Sequence, residues 1–115
     1  MLRRTAVVLI ALLASSAAQS NYVTFQTWLT MPEPVRDAYI AGAYDSLENV
    51  GEDTEQMRRT RTHYANCLYT AKMTSIQLAA NVLNFAKDKP ELQTGLVQRA
   101  LVNYLIAACG EPPTK

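Results

Sequence analysis

The stretch "MTSIQLAANVLNFAKDKP", Met73 to Pro90, decides the fold class. Thr74 and Gln77 stand three apart, as the two halves of a capping box do. Met73 and Leu78 flank them as a hydrophobic staple. Beyond this start, Leu78, Ala79, Val82, Leu83 and Ala86 recur at steps of three and four on one face. Gln77, Asn81, Asn84 and Asp88 lie opposite, and Pro90 marks the end. The stretch predicts an amphipathic helix.

The same punctuation recurs on both sides. In "TMPE", Thr30 is placed to cap and Glu33 to reach back, with Pro32 in the first turn, where a missing N–H costs nothing. This predicts a helix from Pro32 to about Asn49, closed by Gly51. "DTEQ" offers another start at Asp53 with Gln56. From there Met57, Thr60, Tyr64, Cys67, Leu68 and Ala71 keep helical spacing. The last predicted helix runs from near Thr94 to Ala108 and is apolar almost all round, which suits the middle of a bundle. Gly110, Pro112 and Pro113 stop it. Phe25, Trp28 and Leu29 add a short apolar start, and no alternating run reads as a strand. The expected fold is all-α: a small bundle of four to five helices with one disulfide.

At 115 residues and 49% hydrophobic content, the chain fits a single small domain. Residues 1–20, "MLRRTAVVLIALLASSAAQS", carry Arg3 and Arg4, then an apolar run from Ala6 to Ala14, then small residues. That is the layout of a secretory signal peptide, with the domain occupying 21–115. The apolar run is short of the roughly 20 residues of a membrane span, so no insertion is expected after cleavage. Of the 11 basic side chains Arg3 and Arg4 lie in this segment, leaving 9 against 10 acidic ones. Such a balance gives no electrostatic case for nucleic acid or an anionic membrane.

Cys67 and Cys109 are the two cysteines. In a periplasmic or secreted domain such a pair reads most simply as a disulfide. It would close a loop of about 40 residues, which the chain-entropy model values at up to about 4 kcal/mol. The competing reading is a metal site on His63 and Cys67, four apart on one face, without an evident third or fourth ligand. No cofactor is expected.

"RDAYIAGAYDSL", Arg36 to Leu47, raises the question of catalysis. Val35, Ala38, Tyr39, Gly42, Ala43 and Ser46 fall on one side of the helix, and Ile40, Tyr44 and Leu47 form a second stripe. A helix-interior glycine costs roughly 1 kcal/mol against alanine. The small residues around Gly42 supply a reason, by letting a neighbouring helix approach closely. Tyr39 and Tyr44 would bury their rings, with hydroxyls near a polar partner such as Asp45. The lone histidine lies elsewhere and no carboxylate pair is singled out by spacing. The stretch reads as structural and the chain as no enzyme.

"YIAGAYDSL", "CLYTAKMTSIQLAANVLNFAKDKPEL" and "ALVNYLIAAC" together resemble the Rap/Tai-type immunity proteins associated with type VI secretion. Members carry a Y-x-x-G-x-x-D helix, a "CLP"-like step, a "T-x-x-Q-L" helix start, a "P-E" and a final helix ending in cysteine. The matching positions are Tyr39, Gly42 and Asp45; Cys67 and Leu68; Thr74, Gln77 and Leu78; Pro90 and Glu91; and Cys109. Tyr69 stands where the family often has proline. A further cysteine pair common in the family is missing, as if one bridge were lost from an intact fold. The resemblance implies a small exported helical protein, often a homodimer, that binds and blocks a toxic peptidoglycan amidase from sibling cells.

The local candidate for that contact is "GEDTEQMRRTRTHY", Gly51 to Tyr64, which places Arg58, Arg59, Arg61 and His63 beside Glu52, Asp53 and Glu55. A solvated helix face of balanced charge competes with this reading. Alternative functions are a small periplasmic chaperone of the acid-stress type, opening as its carboxylates protonate, or an accessory subunit of an envelope complex.

Overall fold

The computed structural model describes residues 23–49 and 54–114. The signal-peptide segment, Gly51 and Asp53 lie outside them. Six helices follow in order: α1 Phe25–Leu29, α2 Glu33–Asn49, α3 Glu55–Thr70, α4 Ser75–Ala86, α5 Pro90–Gln93 and α6 Val97–Cys109. No strand occurs among the described residues; one antiparallel bridge, Thr24 to Leu96, ties the front of the chain to the α5–α6 loop.

Helix α4 starts as its sequence requires. The Thr74 hydroxyl accepts from the Gln77 N–H at 3.2 Å, and the Gln77 side chain accepts from the Thr74 N–H at 3.0 Å. Leu78 is buried and Met73 packs half-buried against the same core. Its other buried residues are Ala79, Val82 and Ala86.

Two helix starts differ from the expectation. Thr30 belongs to the end of α1: it is that helix's C-cap, in the αR conformation with its hydroxyl donating to the Thr27 carbonyl at 2.6 Å, and α2 starts only at Glu33. Arg36 closes the α1–α2 turn instead, donating to the Met31 carbonyl at 2.8 Å. Helix α3 is capped by Thr54, one position after Asp53, through a 3.1 Å bond from the Met57 N–H.

The last helix starts at Val97 rather than Thr94. Pro90–Gln93 makes a turn of its own, with proline in the first turn, where it lacks nothing. The chain then straightens so that the Phe25 N–H reaches the Gly95 carbonyl and the Val97 N–H reaches the Val23 carbonyl, both at 3.0 Å. Helix α6 packs on each of the other five helices among the described residues and is the centre of the bundle. It is not buried all round, however: Gln98, Arg99, Asn103 and Ala107 face solvent.

Phe25, Trp28, Ile40, Val82, Val97, Leu101 and Leu105 are the large side chains closed off from water. Their burial supplies most of the fold's stability, at roughly 1.5–3 kcal/mol for each large aliphatic side chain. The Trp28 indole N–H, which would be costly to bury unpaired, donates to the Arg36 carbonyl at 3.1 Å. Helix α2 lies chiefly against α4, and α3 touches α2 and α6 from outside.

The packing role expected for Gly42 is corrected. Val35, Ala38, Gly42 and Ser46 are exposed, and a Cβ built on Gly42 meets nothing within 4 Å. Helix α2 turns inward the stripe of Ile40, Tyr44 and Leu47 together with Tyr39 and Ala43 from the edge of the other, and leaves Gly42 outside. Among the described residues no helix packs directly on the glycine, and Gln98 of α6 only shares a shallow concavity with it.

Candidate functional site

Cys67 and Cys109 form the expected disulfide, with sulfurs 2.02 Å apart and Cα atoms at 5.8 Å. Such bridges form and persist in oxidising compartments, which puts the folded chain outside the cytoplasm. The bond also consumes the thiolate that a metal site on His63 and Cys67 would need. No group of three or more His, Cys, Asp or Glu gathers for a metal among the described residues. Nor is any described helix long and apolar enough to cross a membrane.

The bridge ends α6 and sends the chain back along α3. Gly110 makes the turn with φ +79°, a left-handed value suited to glycine. The tail then lies on the polar face of α3. His63 Nε2 bonds the Gly110 carbonyl at 2.9 Å. Gln56 Nε2 donates to the Pro113 carbonyl at 3.3 Å and Arg59 to that of Thr114 at 3.1 Å. Arg59 is also paired with Glu55 one turn back, at 3.0 Å. Partial burial raises the phenol pKa of Tyr64, and the Glu111 carboxylate on the tail raises it further. On α2, partial burial raises that of Tyr39.

The structure therefore divides the basic residues picked out from the sequence. Arg59 and His63 are occupied by the chain's own tail. Arg58 lines the shallow concavity beside them, together with Thr62, Asn66 and Pro113. Arg61 is half-buried, and neither it nor Arg58 lacks partners. Tyr39, Gly42 and Asp45 share α2, with Tyr39 packed half-buried on the core and Asp45 exposed.

A second surface was not singled out by sequence reasoning. At the end of α3, Tyr69 is 85% exposed, the most exposed large hydrophobic residue described. It stands at the rim of a cleft lined by Tyr44, Ala65, Leu68, Met73 and Leu78. The backbone beneath it is tightly held. The Lys72 N–H reaches the Tyr69 carbonyl and the Met73 N–H the Leu68 carbonyl, both at 3.0 Å. This is a Schellman closure, with Lys72 at φ 54° in the place usually given to glycine. The capping box of α4 begins two residues later, and the disulfide lies two residues before Tyr69. The signal was present in the spacing: Tyr69 falls about 200° round the helix from Cys67, on the polar side where an aromatic is out of place.

Arg58, Thr62, Ala65 and Tyr69 stand at steps of four, three and four, and all four are exposed. They form one outward stripe about 16 Å long. No family model, curated protein or solved structure matches this chain.

Proposed function

We propose that this chain is an exported periplasmic binding protein. In this reading it blocks a peptidoglycan amidase delivered by type VI secretion, as its resemblance to the Rap/Tai-type immunity proteins implies. The outward stripe of α3 is its docking surface. The observation that carries the reading is the exposure of Tyr69 on a backbone held from both sides. An aromatic on a backbone already held has only two side-chain torsions to order on binding and brings a large apolar face, which is what an interface anchor needs. The cleft behind it, apolar at Leu68, Met73 and Leu78 and polar at Asp45, Thr74 and Ser75, gives a partner's side chain a place to bury. Arg58, at the other end of the stripe, adds a charge that tunes the rate of encounter more than the final affinity. Arg59 and His63 lie beside this face, bonded to the tail. The oxidising compartment fits the periplasm, where the cell-wall substrate of such an amidase lies.

The test is affinity capture of the tagged, oxidised chain from residue 21 onward, using the envelope fraction of its own organism and reading bound proteins by mass spectrometry. A single stoichiometric partner that is a cysteine–histidine amidase is expected. Tyr69→Ala should weaken that complex by about 30-fold or more. Arg58→Glu should mainly change the association rate. A broad crowd of clients, or no partner, would move the function to a chaperone or an accessory subunit.

A further inference from the structure

Helix α3 is the long helix least embedded in the core. Among its residues only Leu68 is buried. Every other member of the core cluster lies outside it. The tail after Cys109 is fastened to α3 by its bonds to His63, Gln56 and Arg59. These are exposed bonds in competition with water, and each contributes little. A helix of this length is marginal on its own. What joins the helix and tail to the bundle is Leu68, the half-buried Tyr64 one turn before it, and the Cys67–Cys109 bridge to the last residue of α6.

We infer that this disulfide is a redox latch: oxidised, it clamps α3 and the tail to the core, and reduced, it frees α3 from the core and from the tail while the rest of the bundle stays folded. The opening step is a two-electron reduction by a dithiol. One thiolate of the reductant attacks a sulfur of the bridge, and its second thiolate resolves the mixed disulfide. The S–S bond breaks, Cys67 and Cys109 take up protons as thiols, and the reductant leaves as its own disulfide. Both cysteines are half-buried rather than enclosed. Opening removes one wall of the cleft beside Tyr69. Taken with the proposed function, on which this clause alone rests, the docking surface would be assembled only after export into an oxidising compartment.

The latch is tested by hydrogen exchange on the whole chain, oxidised, reduced with dithiothreitol, and reoxidised. A second sample carries Cys67→Ser and Cys109→Ser. Trp28, the single tryptophan, reports the core through its emission. On reduction the amides of Glu55–Thr70 should exchange on the order of a hundredfold faster. Those of Ser75–Ala86 should keep their protection, and Trp28 should keep the emission of a buried indole. Reoxidation should restore α3. Unchanged protection in α3 would overturn the latch. So would loss of Ser75–Ala86 and Trp28 together with α3, because the bridge would then hold the whole fold rather than one part of it. None of these readouts involves a binding partner, so the latch and the proposed function can fail separately.

Discussion

His63 and Gly110 lie 47 positions apart, and the imidazole Nε2 of one meets the carbonyl oxygen of the other at 2.9 Å. The contact shows how the tail is held. Pro112 and Pro113 have no N–H to offer, so this segment presents carbonyls, and side chains of α3 supply the donors. The disulfide brings the two strands of chain together, and the polar bonds follow from that proximity.

Because these bonds are exposed, their removal should cost little. The double substitution Arg59→Ala with His63→Ala is expected to lower the unfolding free energy by about 1 kcal/mol or less, read by urea denaturation of the oxidised chain. A loss of roughly 3 kcal/mol would mean that the tail carries part of the core's stability, contrary to its exposure.

Gly42 and Gly110 make a matched pair with opposite outcomes. Neither has an atom within 4 Å of a built Cβ, so steric crowding decides nothing. Gly42 lies inside α2, where alanine is the better helix former, and Gly42→Ala should stabilise the chain by about 1 kcal/mol. Gly110 has φ +79° and ψ 169°, a region almost closed to other residues, and Gly110→Ala should cost about 1–3 kcal/mol. Thermal unfolding of the two variants under one set of conditions checks both signs.

Most of the fold was legible because its signals are local. The capping box at Thr74 and Gln77, the proline stops and the three-and-four spacing each involve residues a few positions apart. The disulfide followed from chemistry and compartment. What escaped depends on which side of a helix meets the core. Spacing divides α2 into two stripes without saying which is inside, and the small residues around Gly42 invite a packing role that their exposure overturns. The same limit hid Tyr69, since exposure is a property of the assembled bundle. The competition for Arg59 and His63 also needs the third dimension, because the tail reaches them only through the bridge at Cys109. Thr30 differs for another reason: its backbone is the αR end of α1, whereas an N-cap needs extended backbone at the start of the next helix.

Lys72 offers a place to gain stability. It holds φ 54° at the closure of α3, a conformation that costs a side chain-bearing residue about 1–2 kcal/mol. Lys72→Gly removes that strain but adds freedom to the unfolded chain, which offsets part of the gain. The net expectation is a stabilisation of about 0.5–1 kcal/mol with the Schellman bonds intact. Chemical denaturation gives the number. A net destabilisation would mean that the Lys72 side chain makes a compensating contribution of its own.

Two tyrosines are expected to contribute to the loss of stability at alkaline pH. Burial raises the phenol pKa of Tyr39 and of Tyr64 above 10.0, and the Glu111 carboxylate raises Tyr64 further. The folded state therefore holds these protons more tightly than the unfolded state does. Their contribution to stability is complete below the unfolded value of 10.0 and is lost as pH rises through the higher folded values. Unfolding free energies measured from about pH 9 to about pH 12 should fall across the upper part of that range. Tyr39→Phe and Tyr64→Phe should each flatten the fall and remove a late-forming component of the phenolate absorbance. Glu111→Gln should move only the Tyr64 component, and toward lower pH. Thiol exchange does not interfere in the described chain, since it holds no free cysteine. If both phenylalanine variants keep the full alkaline fall, other groups set the limit and the two rings are not protected as their burial implies.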